Sequence, residues 1–287
     1  MNKQTNPGYR HFPILSFLAA TFIWSWGLWA VLKTHPSIQP HSAVWSCLYV
    51  AGLCGPLAGA VTAAYLNSGE LGLQRLKGRL GLPRCHWTTV FWATFLPPLI
   101  WIVSAFVEDG DFSFAQPWWV LIMIWGKMLV RGGPLTEEIG WRGFLLPRLL
   151  SRMSLFWATA VIFPVWGLWH LPLWWLPGLP HHEWSFVLFL ALLAPLTLLF
   201  SWFYVRGGRR VWLPILFHTS INFALHFSWV NPSHKTGGAF FVLLGIFWSV
   251  AAGVVLLKRE IWFQRRALAG ASQMESREDL LFKGYVS

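Results

Sequence analysis

The sequence carries little charge, and acidic residues are the scarcest part of it. Only 11% of its 287 residues are charged, and 11 Asp and Glu stand against 22 Lys and Arg. Soluble domains carry about 25% charged residues, and the mean hydropathy of this chain is +0.50. An ordinary soluble domain is therefore excluded, and the composition indicates an integral membrane protein.

Cysteine is scarce too, and several catalytic signatures are missing. The three cysteines, Cys47, Cys54 and Cys85, form no CxxC pair and predict neither a disulfide framework nor a cysteine-based metal site. Neither GxSxG nor HExxH occurs, so serine hydrolases with a nucleophile elbow and zincins have no support in the sequence. No inverted repeat of the kind found in transporters is apparent.

Long apolar runs are what the sequence has in abundance. Hydrophobic residues make up 55% of the chain, and eight segments are close to or above the ~18 residues that can cross a bilayer core. The first of them lacks a small-residue cleavage site, which favours a helix over a signal peptide. We predict an all-α polytopic membrane protein with about eight transmembrane helices, at 13–32, 43–66, 87–107, 117–133, 155–176, 184–204, 212–228 and 238–257.

The basic residues predict how the chain lies in the membrane. With a cytoplasmic N-terminus, 20 of the 22 Lys and Arg fall in cytoplasmic segments, as the positive-inside rule requires. We therefore expect a cell-membrane protein with both termini in the cytoplasm. Its single transmembrane domain spans 13–262, between an N-terminal tail (1–12) and a C-terminal tail (263–287). The net charge of +11 is spread along cytoplasmic edges, where membrane lipids explain it better than nucleic acid does.

Ionisable and strongly polar residues inside the apolar region are the informative exceptions. A charge at a helix centre costs roughly 2.5–3.5 kcal/mol on insertion scales, so it needs a partner or a wet cavity. The exceptions are Glu137, Glu138, Arg142, His170, His218, Asn222 and His226. We expect no catalytic role for four further residues. His226 is expected to be structural, and His181, His182 and Glu183 are expected to form a solvated cluster in a loop.

Helical spacing predicts how these side chains pair. Glu138 and Arg142 are four residues apart and share a helix face, which predicts an ion pair. Glu137 is rotated by about 100° from Glu138, so its carboxylate is left free. His218 and Asn222 repeat the four-residue spacing on another helix. Together with His170 from a third helix, they can converge in one pocket if the helix carrying Glu137 is itself embedded.

Such a set of side chains has more than one chemical use. A carboxylate beside an imidazole can act as a general base toward water, while a second His and an Asn carboxamide donate to an oxyanion. This inventory suits the attack of water on an amide. The same buried groups could instead form the proton relay of a transporter or hydrogen bonds between helices.

Three motifs, in this order and on separate helices, resemble those of the CPBP intramembrane proteases, also called the CAAX prenyl protease 2 or Abi family. The likeness covers residues 127–228 in detail and the GLCGPLAGA stretch of the second helix more faintly. EExxxR appears as Glu137, Glu138 and Arg142, FxxxH as Trp166 to His170 with Trp in place of Phe, and HxxxN as His218 and Asn222.

The resemblance implies an intramembrane endopeptidase in which Glu137 and His170 activate water. His218 and Asn222 then stabilise the oxyanion, with Glu138 and Arg142 as supporting residues, and which of the two glutamates is the base stays open. Trp166 is expected to line the cavity, and its indole N–H needs a partner. No cofactor is expected. Zinc held by Glu137, His170 and His218 is the alternative to the metal-free glutamate mechanism.

The resemblance also implies a membrane-bound protein or peptide as the partner, in contact with membrane lipids and without nucleic acid. The chain looks like a prokaryotic member of the family, for which prenylated substrates are not expected. Peptide maturation and self-immunity both stay open. The alternative function is a non-enzymatic immunity or membrane interaction protein that retains the protease fold.

Overall fold

The computed structural model describes residues 7–109, 117–131, 133–227 and 237–264, and within these ranges the regular elements are helices. Most of the two predicted tails, 1–12 and 263–287, lies outside the described residues. The α-helices, in chain order, are α1 (Pro7–Thr34), α2 (Ala43–Leu53), α3 (Gly55–Gly78), α4 (Trp87–Asp109), α5 (Trp118–Arg131), α6 (Pro134–Glu138), α7 (Leu146–Leu150), α8 (Leu155–His170), α9 (Phe186–Arg206), α10 (Trp212–Phe227), α11 (Gly238–Leu257) and α12 (Arg259–Phe263). A π-helix (Ile139–Leu145) joins α6 to α7, and 3₁₀ turns (Leu171–Trp175 and Pro180–Glu183) lie between α8 and α9.

Apolar side chains cover much of the outer surface of the bundle. Large apolar residues on five different helices are between 53% and 75% exposed, namely Ile23, Phe95, Met123, Val187 and Phe241. Apolar surface of this extent is normal where lipid surrounds a helix, whose backbone groups are already paired internally. The predicted fold class, an all-α polytopic membrane protein, is confirmed.

The helices differ in whether they are long enough to cross a membrane. By length and apolar composition, five of the described helices can cross a membrane, and the pair α2 and α3, bent by 45° at its junction, counts as a sixth when the two helices are taken as one span. All eight predicted segments correspond to helices, but α5 and α10 have only 14 and 16 residues, fewer than the ~20 of a full span. Helix α10 packs against α4, α5, α6 and α9. Other helices therefore surround much of α10, so this helix does not need the full length of apolar residues that a lipid-facing span requires.

The segment that carries the two glutamates is buried in the bundle, as expected. Helix α5 ends at Arg131, and Gly133 adopts a left-handed φ of 94°, which favours glycine. Pro134 then begins α6, where its missing N–H costs nothing. Glu137 and Glu138 are 2% and 0% exposed. The chain continues through the π-helix, an unusual element that often marks functional sites.

Small residues and one hydrogen bond bring this segment against the bend between α2 and α3. A Cβ atom added to Gly140 would lie 2.5 Å from Pro56 Cβ and 2.6 Å from the Pro56 carbonyl oxygen. Close by in sequence, the Thr136 hydroxyl donates to the carbonyl of Leu53 at 2.9 Å. Close approach at small residues and hydroxyl-to-carbonyl bonds are the usual means of packing helices in membranes. Gly140 and Thr136 therefore set the position of Glu137 and Glu138 relative to α3.

We predict that Gly140→Ala lowers the free energy of unfolding by about 1–3 kcal/mol, because the new methyl group meets backbone that cannot move aside. Gly245→Ala is the matched control, since nothing lies within 4 Å of a Cβ added there. The measurement is the melting temperature of each variant in detergent. Equal melting temperatures for the two variants would contradict the close packing at Pro56.

Candidate active site

Glu138 joins the first and third motifs through a single oxygen. Its Oε1 accepts hydrogen bonds from Arg142 Nη1 at 3.0 Å and from His218 Nδ1 at 2.9 Å. The ion pair predicted from the four-residue spacing is therefore present, and both of its side chains are 0% exposed. Because a carboxylate paired with a guanidinium acts as an acceptor, Nδ1 of His218 is the donor in its bond.

The charge of Arg142 lies between two aromatic faces. Its Cζ is 4.4 Å from the centroid of Trp166 and 4.2 Å from that of Phe200. Cation–π contacts of this kind are strongest where water is excluded. One carboxylate and two rings therefore compensate a guanidinium whose transfer from water would otherwise be very unfavourable.

Glu137 points away from this ion pair, as its rotation on the helix predicts. Its Oε2 accepts a hydrogen bond from Trp166 Nε1 at 2.9 Å. On the other side, Gly133 lies so close to Oε1 that a Cβ atom at position 133 would overlap it. Among the described residues Glu137 forms no ion pair, and a small part of its surface stays accessible. The carboxylate is thus held in place without being neutralised by a contacting cation.

His170 ends α8 with its ring orientation defined. Its Nδ1 lies 2.8 Å from the carbonyl oxygen of Trp166, one turn earlier. A carbonyl oxygen can only accept, so Nδ1 carries the proton and donates it. In the neutral ring the lone pair is then on Nε2, which can accept a hydrogen bond or a proton.

A small cleft of about 70 Å³ lies among α8, α9 and α10. Its polar lining consists of His170, His218 and Asn222, and Asn222 lies one turn beyond His218 on α10. The remaining walls are apolar and include Trp184, Leu192, Leu196, Phe200, Ile221 and Leu225. Of these three predicted residues, His218 and Asn222 thus come from α10, and His170 comes from α8.

Trp166 connects Glu137 to this cleft. Its ring lines the cleft and has centroid distances of 5.5 Å to His170 and 5.8 Å to His218. Glu137 does not line the cleft itself. Its hydrogen bond to Trp166 connects it to a ring that contacts both imidazoles. The predicted convergence is therefore observed for His170, His218 and Asn222, with Glu137 one side chain further away.

The histidines that we placed outside the catalytic set lie away from the cleft. His226 is exposed near the end of α10. His182 and Glu183 have side chains that are 58% and 71% exposed, as predicted for a solvated cluster. For His181 that prediction is wrong, because its ring lies between Trp174 and Trp184, with centroids 5.2 Å and 4.6 Å away. Burial, and to a lesser extent His182, lowers the pKa of His181 to about 4, so this ring is neutral at physiological pH.

The zinc alternative receives no support from the positions of the donor atoms. Within the described ranges, no three or more His, Cys, Asp and Glu side chains come close enough together to hold a metal ion. Glu137, His170 and His218 therefore do not fit a zinc site in this arrangement.

Three contributors to the site were missed or only partly seen in the sequence. The need of the Trp166 indole for a partner was recognised, but not that the partner is Glu137. The role of Phe200 against Arg142 was not recognised, because a single Phe in an apolar helix has no distinguishing pattern. The left-handed Gly133 had a weak signal in the Gly-Gly-Pro sequence that precedes Glu137.

Comparisons with known proteins agree with the motifs. Residues 116–224 match a family described as "Type II CAAX prenyl endopeptidase Rce1-like". The chain is also similar to CAAX prenyl protease 2 of Methanococcus maripaludis, with 23% identity over 276 residues that cover 90% of this chain and 98% of that protein. The resemblance drawn from the three motifs is confirmed, and the segment that matches the Rce1-like family, residues 116–224, contains Glu137, His170, His218 and Asn222.

Proposed function

We propose that the protein is an intramembrane endopeptidase that cleaves a peptide bond by means of Glu137, His170, His218 and Asn222. The observation that carries the proposal is the difference between the two glutamates. Glu138 Oε1 is occupied by Arg142 and His218, and its side chain is fully buried. Glu137 forms no ion pair among the described residues and keeps some accessible surface. Glu137 is therefore the carboxylate available to act as a base.

In this mechanism Glu137 and His170 activate one water molecule. Glu137 accepts a proton from the water while the water oxygen attacks the carbonyl carbon of the scissile bond. His170 orients the same water through the lone pair on Nε2. As the C–N bond breaks, Glu137 returns the proton to the leaving amine, so that the base is regenerated. Its hydrogen bond to Trp166 uses Oε2 and leaves Oε1 for this transfer.

His218 and Asn222 act on the developing oxyanion. Since His218 Nδ1 donates to Glu138, its Nε2 can donate to substrate only when the ring carries both protons. The Asn222 carboxamide adds a neutral donor on the same helix. Donors that are held in position in a dry cleft favour the transition state over the ground state.

The chemistry of the cleft supports a membrane-associated protein or peptide as the substrate. Most of the side chains that line it are apolar, which suits apolar residues next to the scissile bond. The relative from Methanococcus maripaludis is named for CAAX prenyl substrates. Two matched probes therefore test this chain. One is an internally quenched peptide that ends in a Cys-aliphatic-aliphatic-X sequence, and the other is the same peptide with an S-farnesyl group on the cysteine.

We also propose that the chain lies in the cell membrane with both termini in the cytoplasm. The support is the distribution of Lys and Arg, 20 of 22 in the segments assigned to that side. Cleavage near the cytoplasmic face and a metal-free mechanism belong to the same proposal. Reporter fusions at each terminus test the orientation, and activity in the presence of a chelator tests the mechanism.

Replacing the base tests the proposal most directly. We expect Glu137→Gln to lower the cleavage rate by roughly 10²-fold or more, because Gln keeps the volume but cannot accept the proton. Glu70→Gln, at an exposed carboxylate on α3, is the control and should retain wild-type activity. The readouts are cleavage of the quenched peptides in liposomes and mass spectrometry of peptide termini in membranes. Wild-type cleavage by Glu137→Gln would rule out Glu137 as the base.

The oxyanion role predicts a different kinetic result. We expect Asn222→Ala to lower kcat by roughly 10²- to 10³-fold with little change in KM, because the donor acts on a charge present only in the transition state. Steady-state kinetics on a quenched peptide that the wild type cleaves provide the measurement. A higher KM at unchanged kcat would instead indicate that Asn222 binds the substrate.

The two glutamates should also differ in their effect on stability. Glu138→Gln leaves the Arg142 charge buried without its counter-ion, and we expect a loss of about 3–5 kcal/mol in the free energy of unfolding. Glu137→Gln, the same substitution one residue earlier, should leave the melting temperature nearly unchanged. Unfolding of both variants is followed in detergent. Equal losses of stability would mean that the division between a structural and a free carboxylate is wrong.

A further inference from the structure

Trp166 lies at the centre of the site and contacts both halves of the proposed machinery. Its indole N–H donates to Glu137, and its ring packs edge-on against His218 and against Phe200. Arg142 lies over its face. The residue is only 2% exposed. These contacts involve four separate elements, so the orientation of the indole is strongly constrained.

The contact between Trp166 and Glu137 is chemical as well as steric. The donor–acceptor distance of 2.9 Å is within the range of charge-assisted hydrogen bonds. Among the described residues, the Trp166 indole N–H is the side-chain group that donates a hydrogen bond to the Glu137 carboxylate. The guanidinium of Arg142, 4.4 Å from the ring centroid, draws electron density from the indole, which makes its N–H a stronger donor. A buried carboxylate without such a donor would be free to rotate about its side-chain torsions.

We propose that Trp166 is a positioning residue that orients the Glu137 carboxylate for water activation through its indole N–H. This inference rests on the proposed function. Phe, the residue of the resembled motif at this position, is also a large aromatic residue but has no donor. This chain therefore controls its base with a hydrogen bond that the motif does not require.

The backbone of Trp166 has a second, separate effect. Its carbonyl accepts the Nδ1–H of His170 at 2.8 Å, which selects the His170 tautomer with a free Nε2. One residue thus orients both members of the pair proposed to activate water, Glu137 through the side chain and His170 through the main chain. Only the side-chain effect is removed by substitution at position 166, so the two can be separated.

The decisive variant replaces Trp166 with 3-benzothienylalanine, in which sulfur takes the place of the indole N–H while the shape of the ring is kept. Trp166→Phe is its genetically simple companion. Trp262→Phe is the matched control, because Trp262 is also fully buried and lies on α12, which packs against α11 and the start of α8, at the opposite end of α8 from His170. All three are compared with the wild type on the quenched peptide that the wild type cleaves.

We expect both Trp166 variants to lose roughly 10- to 100-fold in kcat, the range that loss of a hydrogen bond to a charged group produces. KM of the benzothienylalanine variant should stay at the wild-type value, because the cleft wall is intact. Trp262→Phe should keep the wild-type kcat. Unchanged kcat in the benzothienylalanine variant, with Glu137→Gln inactive, overturns the positioning role and leaves the proposed function standing.

A spectroscopic readout tests the hydrogen bond without turnover. The carboxylate bands of Glu137 are isolated as the infrared difference between the wild type and Glu137→Gln, and the same difference is recorded in the Trp166→Phe background. We expect the bands to shift between the two backgrounds, and identical bands would overturn the inference. Shifted bands together with a wild type that cleaves neither peptide would count against the proposed function instead.

Discussion

The buried ion pair of Glu138 and Arg142 is the interaction on which the rest of the site depends. Both side chains are fully buried, and removing two charges from water costs several kcal/mol for each ion. Neighbouring side chains therefore compensate both charges. Arg142 lies between Trp166 and Phe200, and Glu138 takes hydrogen bonds from two helices. The His218 ring is oriented as a consequence, because its Nδ1–H donates to Oε1 of Glu138.

Backbone packing decides where this ion pair lies. The left-handed Gly133 allows a buried helix to begin at Pro134, and Gly140 brings that helix against Pro56 at the bend between α2 and α3. Since the glutamates are on this helix, the close contact fixes their distance from α8 and α10. The position of the ion pair is thus set by an interface of small residues, and the ion pair in turn orients the polar side chains around it.

Several features of the site were predictable because they follow from helical geometry. The ion pair, the opposite direction of Glu137 and the shared face of His218 and Asn222 each depend on residues within one helix, where spacing determines direction. The fold class followed from the apolar runs. Predictions were weaker where a contact joins residues far apart in the chain. The bond from Trp166 to Glu137 and the position of His181 between two tryptophans depend on packing between helices, which local spacing does not determine.

The amino-acid sequence by itself determined that this is an all-α membrane protein and which side chains are the candidates for its chemistry, because the cost of polar groups in an apolar chain singles them out. It also determined the Rce1-like motifs over residues 116–224. Only the tertiary structure decided how the two glutamates divide their roles, since that depends on which of them meets His218 and which meets Trp166. Those contacts arise from the packing of α6, α8 and α10, a long-range arrangement set by the whole bundle.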